Sequence, residues 1–303
     1  MPLEWNHKQA FRDLLHTCPL CRPRLGPIDT GFTTRKRRSD IALRFWPSAL
    51  RKAPSADFRR ASPRGHRRPR RLLGRSSARR SSTPGLLTHG ASVLGSHERG
   101  VATWNIEYRR AGSPGGGWPN TYLDLAKAVD YLRKIAAKDK LDLSRVFVVG
   151  HSSGGQLALW LGARPKLPST SPLHTIGPLA IKEIIDIDGP PDLTAAQPLE
   201  SDYCPMPAVT QFMEGTPADQ PARYHDGSVQ SFLPLNIPQI ILSGGLLQHV
   251  GTLAVDYQTA ARSKGDSVTI IPVDGGHFDL VDPSSKPGQA VVAEILRTVN
   301  RNR

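Results

Sequence analysis

The segment Gly150-His151-Ser152-Ser153-Gly154 carries the strongest chemical signal of the sequence. It fits the pattern G-x-S-x-G, in which a serine stands at a sharp turn from a strand into a helix. The glycines leave room for the turn, and the serine is expected to adopt a strained backbone. We therefore predict that Ser152 is a nucleophile and that the backbone N–H of Ser153 stabilises an oxyanion. The alternative is a glycine-rich turn without catalysis.

A serine hydroxyl needs a base to accept its proton, and His277 is the best candidate. It lies in Asp274-Gly275-Gly276-His277-Phe278, 125 residues after Ser152, between a predicted strand and the last predicted helix. Serine before histidine is the chain order that accompanies this motif. The other nine histidines lack this placement, and the alternative for His277 is an ordinary, hydrogen-bonded polar residue.

The elements that must position these residues alternate between strand and helix. Apolar runs predict strands at 101–108, 146–149, 181–187, 237–242 and 268–273, and helical spacing predicts helices at 121–137, 154–161, 253–262 and 288–299. This alternation predicts the α/β class, a mostly parallel sheet with helices on both faces. The irregular, proline-rich residues 190–235 are predicted to form a partly helical, lid-like excursion.

These stretches together resemble an α/β-hydrolase of the esterase/lipase branch that includes kynurenine formamidase-like and prolyl-oligopeptidase-like enzymes. The resemblance covers about residues 99–303 and rests on residues 104–110, 115–119 with Asp124, 150–155 and 276–280. It implies a serine hydrolase that cleaves small-molecule carboxylic esters or related acyl amides without a cofactor or metal ion. It also implies that substrate-binding residues lie near the mouth of the site, namely Tyr108, Arg109, Trp118 and His151. The first three residues alternatively only brace the sheet edge and its loop.

The chain departs from this family at the acid that orients the histidine. The family places an Asp just after the strand that is here 237–242, but residues 243–250 contain no carboxylate. Some enzymes of this fold carry the acid at the tip of the preceding strand, which makes Asp188 and Asp192 the candidates. Otherwise Asp188 closes a turn and Asp192 caps the next segment. Without an acid, the rate would fall by orders of magnitude but would not vanish.

A second departure lies upstream of residue 101. The fold requires further strands, a helix and a His-Gly-Gly loop that supplies a second oxyanion donor. Only residues 88–91 resemble that loop, so the N–H of Gly90 or Ala91 is the candidate donor. Residues 1–85 do not have the pattern of strands, and the sheet is therefore predicted to be truncated at its N-terminal side.

Charge divides the 303-residue chain at about residue 100. The net charge is +14, yet 22 of 40 basic and only 6 of 26 acidic residues lie in residues 1–100. The rest of the chain is nearly neutral. We therefore predict two regions: residues 1–98, a basic Arg/Pro/Ser-rich extension that is mostly disordered, and residues 99–303, the hydrolase domain.

Four interpretations of the extension compete: a nucleic-acid-binding tail, an organelle transit peptide, a flexible solvated segment, and an out-of-frame translation of a GC-rich gene. Arginines without interleaved aromatics or a binding fold disfavour nucleic-acid binding. No apolar run approaches the ~20 residues of a membrane span, and no apolar stretch follows Met1, so we expect a cytoplasmic protein. The lone Cys18-Pro19-Leu20-Cys21 has no second pair, which disfavours a zinc site.

The sequence thus predicts acyl transfer, in which Ser152 attacks, His277 acts as base and then as acid, and water hydrolyses the acyl-enzyme. One alternative is a hydrolase remnant that is catalytically impaired or non-catalytic. The other is a nucleic-acid-binding protein that acts through its arginine-rich third.

Overall fold

The computed structural model describes residues 57–58, 70–77, 101–139, 141–204 and 206–301. They form a sheet of seven strands in the order β1-β3-β2-β4-β5-β6-β7. The strands are β1 Asp57–Phe58, β2 Arg70–Ser77, β3 Val101–Ile106, β4 Leu141–His151, β5 Glu183–Ile187, β6 Gln239–Ser243 and β7 Val268–Pro272. Neighbouring strands are parallel except β1, which pairs antiparallel with β3.

Helices connect the strands within the described residues. They are α1 Asn120–Asp130, α2 Leu132–Asp139, α3 Ser153–Ala163, α4 Leu193–Ala196, α5 Glu200–Tyr203, α6 Ala208–Met213, α7 Pro221–Gly227, α8 Gly245–His249, α9 Leu253–Ser263 and α10 Lys286–Arg301. The predicted helix 121–137 is divided at Tyr131 into α1 and α2, and α8 was not predicted. In the described part of the chain, no helix has the length and apolar character that crossing a membrane requires.

The two faces of the sheet pack against different helices. In β4, Val146 and Val148 belong to a large apolar cluster with α1, α3 and α9, whereas Phe147 and Val149 belong to a second cluster with α10. Successive side chains of a strand point to opposite faces, so an unbroken apolar run fits a strand that is buried on both sides. Each fully buried side chain of this kind contributes about 1.5–3 kcal/mol. The predicted α/β architecture is confirmed.

The prediction that residues 1–85 contain no strands is wrong for two segments. Asp57–Phe58 and Arg70–Ser77 are strands, and β2 lies between β3 and β4 with parallel pairing on both sides. The sheet therefore includes strands from both sides of the predicted domain boundary at residue 98. On the N-terminal side its edge strand is β1, so strands before β3 are present where the sequence predicted a truncated sheet. The only apolar residues of β2 are Leu72 and Leu73, which arginines and a glycine flank. So short an apolar segment does not indicate a strand in the sequence. The other residues of the predicted disordered extension lie outside the described residues.

The excursion between residues 190 and 235 is packed onto the helices beside the sheet. Its backbone carbonyl at Gly227 accepts hydrogen bonds from Tyr122 of α1 (3.1 Å) and from the side chain of Gln156 of α3 (2.8 Å). Trp160 donates its indole N–H to Asp226 (3.1 Å). The predicted partly helical character is confirmed by α4 to α7.

Parallel strands bring their carboxyl ends to one edge of the sheet, where clefts form in α/β proteins. β4, β5, β6 and β7 all end there, so the segments that follow them meet at this edge. Those segments contain Ser152, Asp188, the glycine pair Gly244-Gly245 and His277.

Candidate active site

Ser152 stands at the sharp turn between β4 and α3 with φ 58° and ψ −130°. A side chain in this backbone region costs about 1–3 kcal/mol, which the surroundings must offset. Its N–H donates to Ile187 at the end of β5 (2.9 Å), and its carbonyl accepts from Gly155 (2.8 Å). The predicted strained turn is confirmed, and hydrogen bonds from two elements hold it.

The flanking glycines are required by close approach. A Cβ on Gly150 would lie 1.8 Å from the carbonyl oxygen of Gly154, and a Cβ on Gly155 would lie 1.8 Å from the Oδ1 of Asp186. Both contacts are far inside van der Waals distance, so neither position accepts a larger residue without moving the turn. The first glycine of the G-x-S-x-G motif and Gly155, which directly follows the motif, thus have a steric origin in this chain.

Ser153 is the first residue of α3. The first N–H groups of a helix have no acceptor within the helix, and the helix dipole favours negative charge beside them. Ser153 is exposed at this end of α3 and directly follows Ser152 in the chain. A role of its N–H in stabilising an oxyanion stays a prediction.

His277 is hydrogen-bonded to Asp188. The distance from its Nδ1 to the Oδ2 of Asp188 is 2.8 Å, and the residues are 6% and 0% exposed. A carboxylate accepts, so Nδ1 carries the proton in the neutral ring. Nε2 then keeps its lone pair, which is the form of imidazole that accepts a proton from a hydroxyl.

The carboxylate of Asp188 also accepts three backbone hydrogen bonds. Gly244 and Leu247 donate to its Oδ1 (2.8 and 2.9 Å), and Leu246 donates to its Oδ2 (2.8 Å). These donors belong to residues 243–250, the segment that lacks the family's usual carboxylate. The segment after β6 therefore supplies amides that hold an acid from β5. Sequence reasoning missed these donors, although the Gly244-Gly245 pair signals a tight turn there.

Asp192, the other candidate acid, lies at a helix start instead. It is the N-cap of α4, and its Oδ1 accepts from the N–H of Thr194 (2.9 Å). Burial raises the pKa of Asp192, and the hydrogen bond from Thr194 partly opposes that rise. The structure brings Asp188 to His277 and places Asp192 in the capping role that the sequence offered as its alternative.

His151 contacts His277 directly. Its Nε2 lies 2.8 Å from the backbone oxygen of His277, and the two ring centroids are 4.4 Å apart. His151 is 5% exposed. Phe278 packs edge-on against the His277 ring at 5.0 Å, yet 44% of its surface is exposed. His277 therefore has a buried imidazole and a half-exposed phenyl ring beside it.

Asp186 is a second buried carboxyl group near the turn. It is fully buried, and its Oδ1 accepts from the N–H of Gly189 (2.9 Å). Burial raises the pKa of Asp186 well above its usual range, the Gly189 hydrogen bond lowers it, and the neighbouring Asp188 raises it further. Asp186 lies inside β5 and belongs to no motif, so no signal in the sequence indicates it.

The predicted mouth residues lie against the loop 112–119. Tyr108 and Trp118 are buried in the large apolar cluster, and Trp118 packs edge-on against Tyr122 at 5.7 Å. Arg109 donates from Nε and Nη2 to Asp124 at 2.8 Å each. Burial alone would raise the pKa of Asp124, but the hydrogen bonds from Arg109 outweigh it and lower that pKa. This geometry matches bracing, and a role in substrate binding stays a prediction. Gly90 and Ala91 lie outside the described residues.

The chain is similar to known proteins in two ways. The family model of BD-FAE matches residues 85–248, more than half of the chain. Esterase B from Lactobacillus rhamnosis, inhibited by a tributyrin phosphonate, has 13% sequence identity and a TM-score of 0.61 over 77% of this chain and 75% of its own. No curated protein matches the chain in sequence.

Other solved structures share the fold at similar identity. A bacterial heroin esterase is 19% identical with a TM-score of 0.58, over 77% of this chain and 74% of its own. An esterase from the Planctomycetes species Thermogutta terrifontis is 17% identical with a TM-score of 0.57, over 78% and 84%. At these identities the likeness establishes the fold, which is that of α/β-hydrolases.

Proposed function

The chain belongs to the BD-FAE family, and we propose that it is a serine hydrolase that cleaves carboxylic esters through an acyl-enzyme on Ser152. One observation carries the proposal: the buried 2.8 Å hydrogen bond between His277 and Asp188, at the sheet edge where Ser152 stands. A carboxylate bound to Nδ1 prepares the opposite ring nitrogen as a base. The names of the structurally similar esterases favour carboxylic esters as the substrate class.

In the proposed first step, the Oγ of Ser152 attacks the carbonyl carbon of the ester. A C–O bond forms, the Oγ proton passes to Nε2 of His277, and the π electrons of the carbonyl move to its oxygen. The N–H of Ser153 donates to that oxyanion. Gly90 or Ala91 is the proposed source of a second donor, and removal of one such donor typically costs about 10²–10³ in rate.

Collapse of the tetrahedral intermediate breaks the bond to the alcohol. The imidazolium of His277 gives its proton to the departing oxygen, and the acyl group stays on Ser152. A water molecule then repeats the attack with His277 again as base, and the acid leaves. The Asp188 carboxylate keeps the ring orientation throughout and stabilises the imidazolium that forms twice in each turnover.

The other substrate class, the branch of the fold and the residues at the mouth of the site also stay proposals. Acyl amides require the same steps with a poorer leaving group, so they are secondary candidate substrates. Membership of the kynurenine formamidase-like or prolyl-oligopeptidase-like branch stays a prediction. Tyr108, Arg109 and Trp118 are proposed to shape the mouth of the site.

The test is hydrolysis of p-nitrophenyl acetate and butyrate by the wild-type chain and by Ser152→Ala. We expect kcat to fall by about 10⁴–10⁶ in the variant, because the nucleophile is lost and only binding and oxyanion stabilisation remain. Ser263→Ala, which changes a serine of α9 away from the sheet edge, serves as the matched control and should keep the wild-type rate. Equal rates for the wild type and Ser152→Ala would refute the proposal and favour a non-catalytic remnant.

A further inference from the structure

We propose that His151 is a positioning residue, whose imidazole N–H holds the His277 loop against the turn that carries Ser152. This inference rests on the proposed function, since it assigns a role within the same site. The sequence resemblance implies substrate binding for His151 instead. The observation that favours positioning is the 2.8 Å contact from its Nε2 to the backbone oxygen of His277.

The tautomer of His151 follows from this partner. A carbonyl oxygen accepts hydrogen bonds and cannot donate, so Nε2 of His151 must carry a proton. The donor is thus committed to the main chain of the base in both the neutral and the protonated ring. With 5% of the residue exposed, little of His151 is left to meet a substrate.

The position of His151 in the chain gives the hydrogen bond its importance. His151 is the last residue of β4, and Ser152 follows it directly. The Ser152 N–H is bonded to Ile187, and Asp188 follows Ile187 in the chain. Backbone connections thus tie the serine to the acid, and Asp188 holds the imidazole of His277 through its side chain. The bond from His151 is the contact that ties the main chain of the base to the strand of the nucleophile.

The ring contact adds a second constraint. The imidazoles of His151 and His277 lie 4.4 Å apart at an interplanar angle of 34°, so one ring packs beside the other. Packing limits the rotation of the His277 ring, whereas the hydrogen bond fixes the position of the His277 backbone relative to the end of β4. A displacement of about 1 Å at a reacting group can cost about 10²-fold in rate.

Two polar variants separate the hydrogen bond from the rest of the side chain. Glutamine places its amide N–H about as far from Cβ as Nε2 of histidine, whereas asparagine is one methylene shorter. We expect His151→Asn to lower kcat by about 10- to 100-fold and His151→Gln to restore kcat to within about fivefold of wild type. KM for p-nitrophenyl acetate and butyrate should change little in either variant, because positioning acts on the transition state.

His174→Asn is the matched control, since it makes the same exchange at another histidine that contacts a backbone carbonyl, there from Nδ1 to Leu167 (3.0 Å), away from the sheet edge. It should leave kcat at the wild-type value. A wild-type kcat in His151→Asn would overturn the proposal. Rises in KM that depend on acyl length, with kcat unchanged, would also overturn it and would assign His151 to substrate binding.

A spectroscopic measurement keeps the inference testable even if the chain proves to hydrolyse no ester. The proton between His277 Nδ1 and Asp188 should give a low-field ¹H resonance, assigned by its absence from Asp188→Asn. We expect the resonance to persist in His151→Gln and to broaden or disappear in His151→Asn as the loop loosens. An unchanged resonance in His151→Asn would contradict the positioning role independently of activity.

Discussion

Asp186 and Asp188 are separated by a single residue, yet the two carboxyl groups have different hydrogen-bond partners. Asp188 accepts three backbone hydrogen bonds and one from His277. Asp186 accepts one backbone hydrogen bond while fully buried, and its pKa is raised well above its usual range. Asp188 thus serves as the hydrogen-bond acceptor for the His277 ring, whereas burial favours the neutral form of Asp186.

Asp188→Asn should lower kcat for p-nitrophenyl acetate by about 10³–10⁴, because an amide cannot stabilise the imidazolium and can favour the wrong tautomer of His277. Asp192→Asn should change kcat little, since asparagine also caps helices well. Steady-state rates of the two variants make the comparison. Equal losses, or a larger loss in Asp192→Asn, would contradict the assignment of Asp188 as the orienting acid.

Asp186→Asn should make the free energy of unfolding less dependent on pH. The raised pKa of Asp186 means that the folded state holds a proton that the unfolded state releases above about pH 4. The contribution of Asp186 to stability is therefore fully present below about pH 4 and is lost as pH rises through the folded-state pKa, and asparagine removes this dependence. Urea unfolding at about pH 5 and about pH 8 measures it. Parallel pH dependence in wild type and variant would contradict a neutral Asp186.

The connection from β6 into α8 is the element on which both the acid and the base rest. Its amides at Gly244, Leu246 and Leu247 hold Asp188, and a Cβ on Gly245 would lie 2.7 Å from the backbone nitrogen of His277. The turn therefore fixes the position of Asp188 relative to the backbone of His277. Its glycines serve the geometry of the site as much as the fold.

Gly245→Ala should lower kcat by about 10- to 100-fold, because the new methyl group pushes the His277 backbone away. Gly251→Ala is the matched control: its φ of +72° makes alanine strained, but nothing lies within 4 Å of the added Cβ. The control should lose about 1 kcal/mol of stability and keep its kcat. Kinetics together with thermal unfolding distinguish the two effects. An unchanged kcat in folded Gly245→Ala would contradict the close approach.

The sequence predicted those elements whose apolar pattern reflects burial on both sheet faces. β5 to β7, α3, α9 and α10 were predicted to within two residues, because apolar runs and helical spacing each report on packing. Only the buried middle of β4, residues 146–149, was predicted, and the strand begins five residues earlier. The break at Tyr131 and the five-residue α8 were missed, since neither disturbs the periodicity. β2 was missed because its charged residues outweigh its short apolar segment.

At the scale of the whole molecule, the site is a product of topology. Residues 152, 188, 244–247 and 277 are distant in sequence, and parallel strands bring them to one edge. Motif and chain order single out Ser152 and His277 as candidates. They could not choose between Asp188 and Asp192, because that choice depends on which carboxylate reaches the amides beyond β6. A contact between segments that are distant in sequence cannot be predicted from the order of residues alone.

The place of β2 predicts that residues 99–303 do not form a stable unit alone. β2 pairs with β3 on one side and β4 on the other, so a chain that begins at residue 99 loses the strand that joins them. Unpaired strand edges and exposed apolar faces favour aggregation. We expect such a chain to lack cooperative urea unfolding, in contrast to the full chain. Cooperative unfolding with wild-type esterase rates would show that β2 is dispensable.

Covalent labelling with a fluorophosphonate tests the central claim most directly. The activated serine should displace fluoride and form a P–O bond, and peptide mass spectrometry identifies the residue that carries the adduct. The account predicts stoichiometric modification of Ser152 in the wild-type chain and none in Ser152→Ala, with slow modification in Asp188→Asn. Modification of another residue, or an unmodified Ser152 in a folded chain that hydrolyses esters, would contradict it.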